Sequence, residues 1–441
     1  MPVKSAGKGC PGNLRFSIRV LSLILRPVLS IFNSWPKRYA FVFPMKIPPF
    51  LFAFLVLTLP LSSVSLRADL VSSKMEEFVA KGVVSGAVTL VANKSGIEHW
   101  EAVGKSDLSS GREMEKTDLF WIASMTKPMT AICVLMLQER GLLSVDDPVE
   151  KHLPEFKGQW MLEQKEKDRL TLVRPKRAIT LRDLLTHTSG LSEVKPPRPD
   201  STLGELAMGY AREPLQFEPG SKWNYSNPGI NTLGRIVEVV SGETFAAFIQ
   251  HNLFNPLELR DTTFWPTKAQ AKRIAKSYNA NKETGKLEET SVYFIRGSLT
   301  ERHRTAFPAG GLFSTAGDVA RVYRMMLNGG VFKGKRLLQP ETVELMTSTQ
   351  SGEIKTGFVE GMSWGLGFQV VREPQGVTAG LSSGSFGHGG AYATQSWGDP
   401  KAGRVYIMLI QRAGLGNSDA AEIRGEFQTA AAQLPAKVAR E

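Results

Sequence analysis

Strand-like and helix-like segments are distributed along this chain so that one sheet has to be assembled from both of its ends. Residues 69–81 have helical periodicity. Gly86–Asn93 and Ile97–Val103 read as strands around the tight turn Lys94-Ser95-Gly96, which predicts a hairpin. Helices then dominate: Ala123–Arg140, closed by Gly141, the short Leu181–Leu185, Ile230–Val240 ended by Gly242, Phe245–Leu253, Val319–Leu327 and Pro340–Met346. Strands return only late, at Phe368–Val371, Tyr392–Trp397 and Val405–Gln411, before a closing helix at Glu422–Leu434. A lone hairpin cannot stand by itself, so the late strands must join it. The expectation is a mixed α/β (α+β) fold. Its sheet comes from roughly residues 69–120 and 295–430, a mainly helical region from roughly 121–294 is inserted, and 431–441 form a tail. The polar or Pro-rich stretches Lys195–Asp200 and Lys282–Glu289 are expected to be surface loops.

The formal charge of +12 suggests a nucleic-acid partner until it is located. Nine basic residues and no acid lie in residues 1–68, which leaves +3 for the rest. The remainder is close to neutral and shows no basic patch or reading motif, so no nucleic-acid role is expected. Residues 45–68 have the form of a secretory signal: Lys46, an apolar Phe50–Leu61, then small residues up to Ala68. The apolar stretch is short for a membrane span, and Pro48, Pro49 and Pro60 argue against a stable spanning helix. Residues 1–44 are basic; either the natural start is Met45, or they are an extended leader that touches a membrane if retained. A secreted or periplasmic protein is expected. Cys10 lies in the leader, so the mature chain would hold Cys133 alone, in an apolar run that suggests a core thiol.

Ser-x-x-Lys occurs four times, at Ser5/Lys8, Ser34/Lys37, Ser124/Lys127 and Ser192/Lys195. Only Ser124/Lys127 opens a long amphipathic helix, where positions i and i+3 share a face. Pro128 is tolerated there because it falls in the first turn. A serine hydroxyl needs a neighbouring base to become a nucleophile, and lysine can serve if burial or positive charge lowers its pKa. The helix N-terminus also offers backbone N–H groups to a developing oxyanion. Tyr225-Ser226-Asn227 lies in a turn-rich stretch before a helix. Its phenol can carry a proton to a leaving group, and its Asn can bond Lys127 and a substrate carbonyl. His388-Gly389-Gly390 precedes an apparent edge strand, and its glycines allow close approach of the backbone to a ligand; the alternative is a simple hairpin turn. His187 is expected to brace a loop. Trp121, Trp223, Trp364 and Trp397 are candidates for either an acyl pocket or the core.

With these motifs in this order, residues 69–430 resemble the serine beta-lactamase and D,D-peptidase superfamily, in its class C, esterase-like branch. Ser124-Met125-Thr126-Lys127 matches the first motif and Tyr225-Ser226-Asn227 the second. His388-Gly389-Gly390 stands where the third, usually Lys-Thr-Gly, belongs. His187-Thr188-Ser189-Gly190-Leu191, Phe217-Glu218-Pro219-Gly220 and Ala309-Gly310-Gly311-Leu312 are similar landmarks. The resemblance implies a beta-lactamase/transpeptidase-like fold, an antiparallel sheet flanked by helices plus a mainly helical domain, with the site between them. It implies a Ser124 acyl-enzyme, proton transfer shared by Lys127 and Tyr225, and an oxyanion hole from the N–H groups of Ser124 and Ala391. No metal or organic cofactor is implied, and the six histidines form no spaced ligand set. The partner is a small-molecule, ester or peptide substrate.

The third motif departs from the family. A family Lys there helps hold a substrate carboxylate, whereas His388 is shorter and can be neutral. That favours neutral esters or amides over beta-lactams and D-Ala–D-Ala peptides, which stay as the alternative. A slow-turnover acyl-accepting binding protein is another. A third comes from Gly380-Leu381-Ser382-Ser383-Gly384, which matches Gly-x-Ser-x-Gly but is not followed by a helix pattern. For Ser382 the expectation is a flexible loop near the pocket.

Overall fold

The computed structural model describes residues 59–194, 198–292, 295 and 297–435. Residues from Pro60 onward form one compact unit. The main sheet has eight antiparallel strands: β1 (Gly86–Asn93), β2 (Ile97–Asp107), β3 (Arg112–Glu113), β4 (Met362–Trp364), β5 (Gln369–Val371), β6 (Phe386–Gly389), β7 (Gln395–Asp399) and β8 (Arg404–Leu409). Their spatial order is β4-β5-β6-β7-β8-β1-β2-β3. The late strand β8 pairs with the early β1, from Val88 opposite Leu409 to Asn93 opposite Arg404. The sheet is therefore joined from both ends of the chain, as the element order requires.

Alternation along β1 fixes the two layers. Val88, Leu90 and Ala92 pack with Phe386, Ile407 and Leu409 against the inserted helices. Ala87 and Val91 pack with Trp397, Tyr406 and Met408 on the opposite face. That second face is covered by α1 (Leu59–Ala80), through Val71, Met75 and Phe78, and by a terminal helix (Glu422–Ala432), through Ile423 and Phe427. Helix α1 begins before the expected Asp69 and runs through the expected end of the signal segment; residues 1–58 lie outside the described part. Among the described residues no helix is long and apolar enough to cross a membrane.

Helix α2 (Thr126–Glu139) is buried well beyond the one face that its amphipathic pattern marks. Every residue from Thr126 to Leu137 is buried, because the sheet covers one side and neighbouring helices, including α3 (Asn227–Ser241), cover the rest. The inserted region also carries two small hairpins, Met161–Lys165 with Leu170–Val173 and Ser277–Ala280 with Leu287–Thr290. The second occupies part of the stretch expected to be loop: its polar residues face solvent, and a two-stranded pair needs no apolar run. The helix expected over Phe245–Leu253 is α-helical to Ile249 and continues as a π turn, Gln250–Phe254.

Two strand expectations need correction. His388 and Gly389 lie within β6 rather than in a turn. The strand after them, β7, begins at Gln395 and is internal, paired with β6 and β8. Tyr392 and Ala393 belong instead to the connecting turn, where Ala393 has φ of +63°. The sequence showed too short an apolar run to mark β6, whose glycines are needed for packing rather than for a turn.

Candidate active site

The chain enters α2 through a 3-10 turn, Ala123–Met125, that carries Ser124. Ala123 has φ of +46°, a conformation a non-glycine residue adopts only when its surroundings hold it. The surroundings do: Thr126 Oγ1 donates to the Ala123 carbonyl at 2.7 Å, and the Leu312 amide donates to Thr126 Oγ1 at 3.3 Å. Thr130 Oγ1 donates to the Pro308 carbonyl at 2.8 Å. These bonds tie residues 308–312 to the first turns of α2, beside the Lys127 side chain.

Lys127 is fully buried. Its Nζ lies 3.1 Å from Ser124 Oγ, 2.8 Å from Asn227 Oδ1 and 2.6 Å from the Ala309 carbonyl oxygen. It also stands 4.7 Å from the centre of the Tyr225 ring. Burial pushes the ammonium down to about 7, with the Glu193 carboxylate opposing. A neutral amine has two N–H bonds and one lone pair. The Ala309 carbonyl can only accept, and Asn227 presents its oxygen, so those two take the N–H bonds. The lone pair is left for the Ser124 hydroxyl.

Tyr225 reaches the site from the turn before α3. Ser226 caps that helix, accepting from the Gly229 amide at 3.1 Å. His187 braces the same turn as expected: it accepts the Ser226 amide on Nδ1 at 3.1 Å, and its carbonyl accepts the Asn224 amide at 2.9 Å. Its buried ring is held well below the ordinary histidine pKa by desolvation, with Lys127 adding to the effect. The neutral ring therefore carries its proton on Nε2. The Tyr225 ring packs on His187 at 4.6 Å and Phe358 at 4.9 Å between centroids. Trp364 is fully buried behind it, and Trp223 is half-buried.

His388 is buried, and desolvation, with Lys127 nearby, lowers its pKa to about 3. Its Nδ1 lies 2.6 Å from the Gly389 carbonyl, which can only accept, so the proton sits on Nδ1. Nε2 is then an acceptor. The two glycines that follow are required by close packing. A side chain on Gly389 would meet Asp419 Oδ1 at 2.4 Å, and one on Gly390 would meet Thr394 Oγ1 at 2.2 Å and the Ile122 carbonyl at 2.6 Å. The Gly390 amide donates to the Thr394 carbonyl at 2.8 Å, and the Ala393 amide to the Gly390 carbonyl at 2.9 Å. This turn places the exposed Ala391 at the rim.

Ser124, Tyr225, Asn227, His388, Gly389, Gly390 and Ala391 all line one cavity of about 550 Å³, with Lys127 just beneath Ser124. The structure thus brings every expected site residue together. It adds Phe358, the Ala309–Gly310 edge and Asn417–Asp419, of which only Ala309-Gly310 belongs to a stretch singled out in the sequence. Of the four tryptophans only Trp121 lines the cavity; Trp397 is core on the opposite face of the sheet. Ser382 lies in a loop, as expected, but it is not in the cavity wall; a strand and not a helix follows it. Cys133 is a buried core thiol whose pKa desolvation raises.

An antiparallel sheet with helices on both faces, and a serine and a buried lysine at the start of a central helix, define the beta-lactamase and penicillin-binding class of serine hydrolases. Comparison with known proteins agrees. The beta-lactamase family model matches residues 71–431. The lovastatin esterase of Penicillium rubens is 32% identical over 287 residues, 62% of this chain and 70% of that protein. Esterase EstB of Burkholderia gladioli is 29% identical over 395 residues, 80% of this chain and 91% of that protein. A variant of the simvastatin synthase LovD of Aspergillus terreus superimposes with a TM-score of 0.69 at 26% identity, over 83% of this chain and 96% of that one. The chain belongs to the beta-lactamase family and is a serine hydrolase.

Proposed function

We propose that this protein hydrolyses neutral carboxylic esters through an acyl-enzyme on Ser124, in an exported mature form. The carrying observation is the placement of Lys127 Nζ, 3.1 Å from Ser124 Oγ and within hydrogen-bond reach of two acceptors, Asn227 Oδ1 and the Ala309 carbonyl, so that the neutral amine keeps its lone pair for Ser124. In this reading the Ser124 proton passes to Lys127 Nζ as Oγ bonds to the ester carbonyl carbon. The oxyanion is met by the Ser124 and Ala391 amides. Collapse of the tetrahedral intermediate breaks the carbon–alkoxide bond, and the alkoxide takes a proton by way of Lys127 and Tyr225. Water then repeats the sequence on the acyl-enzyme, releasing the acid and restoring the Ser124 hydroxyl.

The cavity favours a neutral substrate. Among its lining residues the only formally charged side chain is the carboxylate Asp419, and His388 is neutral with an acceptor nitrogen. An anionic beta-lactam or peptide C-terminus would meet no lining cation there. Two relatives named as esterases support the same reading.

The test is steady-state turnover of a short-chain nitrophenyl ester and a chromogenic cephalosporin by purified residues 69–441, with Ser124→Ala as control. Ester turnover that vanishes in the variant, with little cephalosporin turnover, is expected. Efficient cephalosporin turnover would move the function to beta-lactamase. An acyl adduct that persists without product release would make it an acyl-accepting binding protein. Activity surviving in Ser124→Ala would overturn the mechanism.

A further inference from the structure

A carboxamide is nearly symmetric in shape, yet only one of its two faces can serve Lys127. If Asn227 turned its Nδ2 toward Lys127, that amine would face a donor, and its lone pair would bond Asn227 instead of Ser124. What holds the carboxamide in the useful orientation lies on its other side. Glu193 Oε1 accepts from Asn227 Nδ2 at 3.1 Å and from the Asn227 backbone amide at 3.3 Å. A carboxylate can only accept. It therefore fixes Nδ2 toward itself and Oδ1 toward Lys127, 2.8 Å away. Glu193 does not line the cavity and belongs to none of the three motifs.

We propose that Glu193 is a positioning residue of this site, which acts through the Asn227 carboxamide to keep the Lys127 lone pair for Ser124. The inference rests on the function proposed above and assigns Glu193 a part in it. The carboxylate has a second, electrostatic effect. Lys127 faces Tyr225 across 4.7 Å, and the neutral imidazoles of His187 and His388 stand nearby. Tyr210, which also feels Glu193, is a buried neutral phenol. Of these groups Glu193 is the one that carries negative charge, and it favours the protonated amine. Its removal lets Lys127 lose its proton at lower pH.

The experiment measures kcat/KM for the nitrophenyl ester from pH 5 to 9 in wild type, Glu193→Gln and Glu193→Ala, with Ser124→Ala as control. Glutamine keeps an acceptor for Asn227 Nδ2 but no charge. Its rising limb should move acidward by about half a pH unit, the size of one partly exposed charge acting over several ångströms. Alanine removes the acceptor as well. Its plateau should fall by about tenfold or more, a loss that a freed orienting group causes, with glutamine restoring much of it. Glu193 is exposed, so neither change is expected to disturb folding. A Glu193→Ala plateau equal to wild type, or a Glu193→Gln limb that does not move, overturns the inference. If Ser124→Ala keeps its activity, the proposed function has failed. If Ser124→Ala is inactive and the Glu193 variants behave as wild type, only the role of Glu193 has failed.

Discussion

Replacing Lys127 with methionine, which has similar length and no charge, should abolish turnover and change how stability depends on pH. The ordinary lysine pKa is 10.5, and burial brings Lys127 to about 7. Below pH 7 the amine is protonated in both folded and unfolded chains, and the fold bears the full cost of the buried charge. Between pH 7 and 10.5 the unfolded chain binds more protons than the folded one, so stability rises with pH. For these two pKa values the gain from pH 6 to pH 9 is about 2.5 kcal/mol, and the complete cost below pH 7 is about 5 kcal/mol. Methionine has no such term. It does leave the Ala309 carbonyl and Asn227 Oδ1 without their donor, at about 1–3 kcal/mol each, but that penalty is independent of pH. Urea unfolding of wild type and Lys127→Met at pH 6 and pH 9 isolates the difference. The wild type should gain about 2.5 kcal/mol more than the variant over that interval. Parallel changes in the two proteins would mean that Lys127 titrates as an ordinary lysine. It would then be protonated at neutral pH and unable to accept the Ser124 proton.

Two further outcomes follow from the geometry of the β6 end. Gly390→Ala sets a methyl group 2.6 Å from the Ile122 carbonyl, in the segment that carries Ser124. The fold should lose about 1–3 kcal/mol, and kcat for the ester about 10²–10³-fold as the Ala391 amide is displaced; a kcat within threefold of wild type would refute the placement of the oxyanion donors. His388→Lys puts a cation in the cavity wall. The ratio of cephalosporin to ester kcat/KM should rise by about tenfold or more, as one charge-assisted bond to a carboxylate allows. The second cation should also push Lys127 lower, which moves the rising limb of the pH profile acidward. An unchanged ratio would show that the third-motif residue does not select substrate charge.

Much of this site was legible in the sequence because its chemistry is local. Ser124 and Lys127 are one helical turn apart, and Tyr225 and Asn227 belong to one turn with a helix behind it. His388 to Ala391 form one contiguous stretch. The pairing of early and late strands followed from the hairpin's need for neighbours. The β6 strand was not legible, because Phe386–Gly389 holds two glycines and no alternating pattern, and its strand character comes from β5 and β7 on either side.

Residue types and their order therefore determined which groups could react and that one sheet would join both ends of the chain. Tertiary structure decided what those groups are. Lys127 becomes a base only because α2 is enclosed on every side, which periodicity could not show since it reports an apolar stripe and not what covers the rest. Its two N–H bonds go to Ala309 and Asn227, 182 and 100 residues away in sequence. The orientation of Asn227 depends in turn on Glu193, whose residue type, at an exposed position, carries no signal of a role. Contacts across such separations are set by the packing of the whole unit, and no local pattern encodes them.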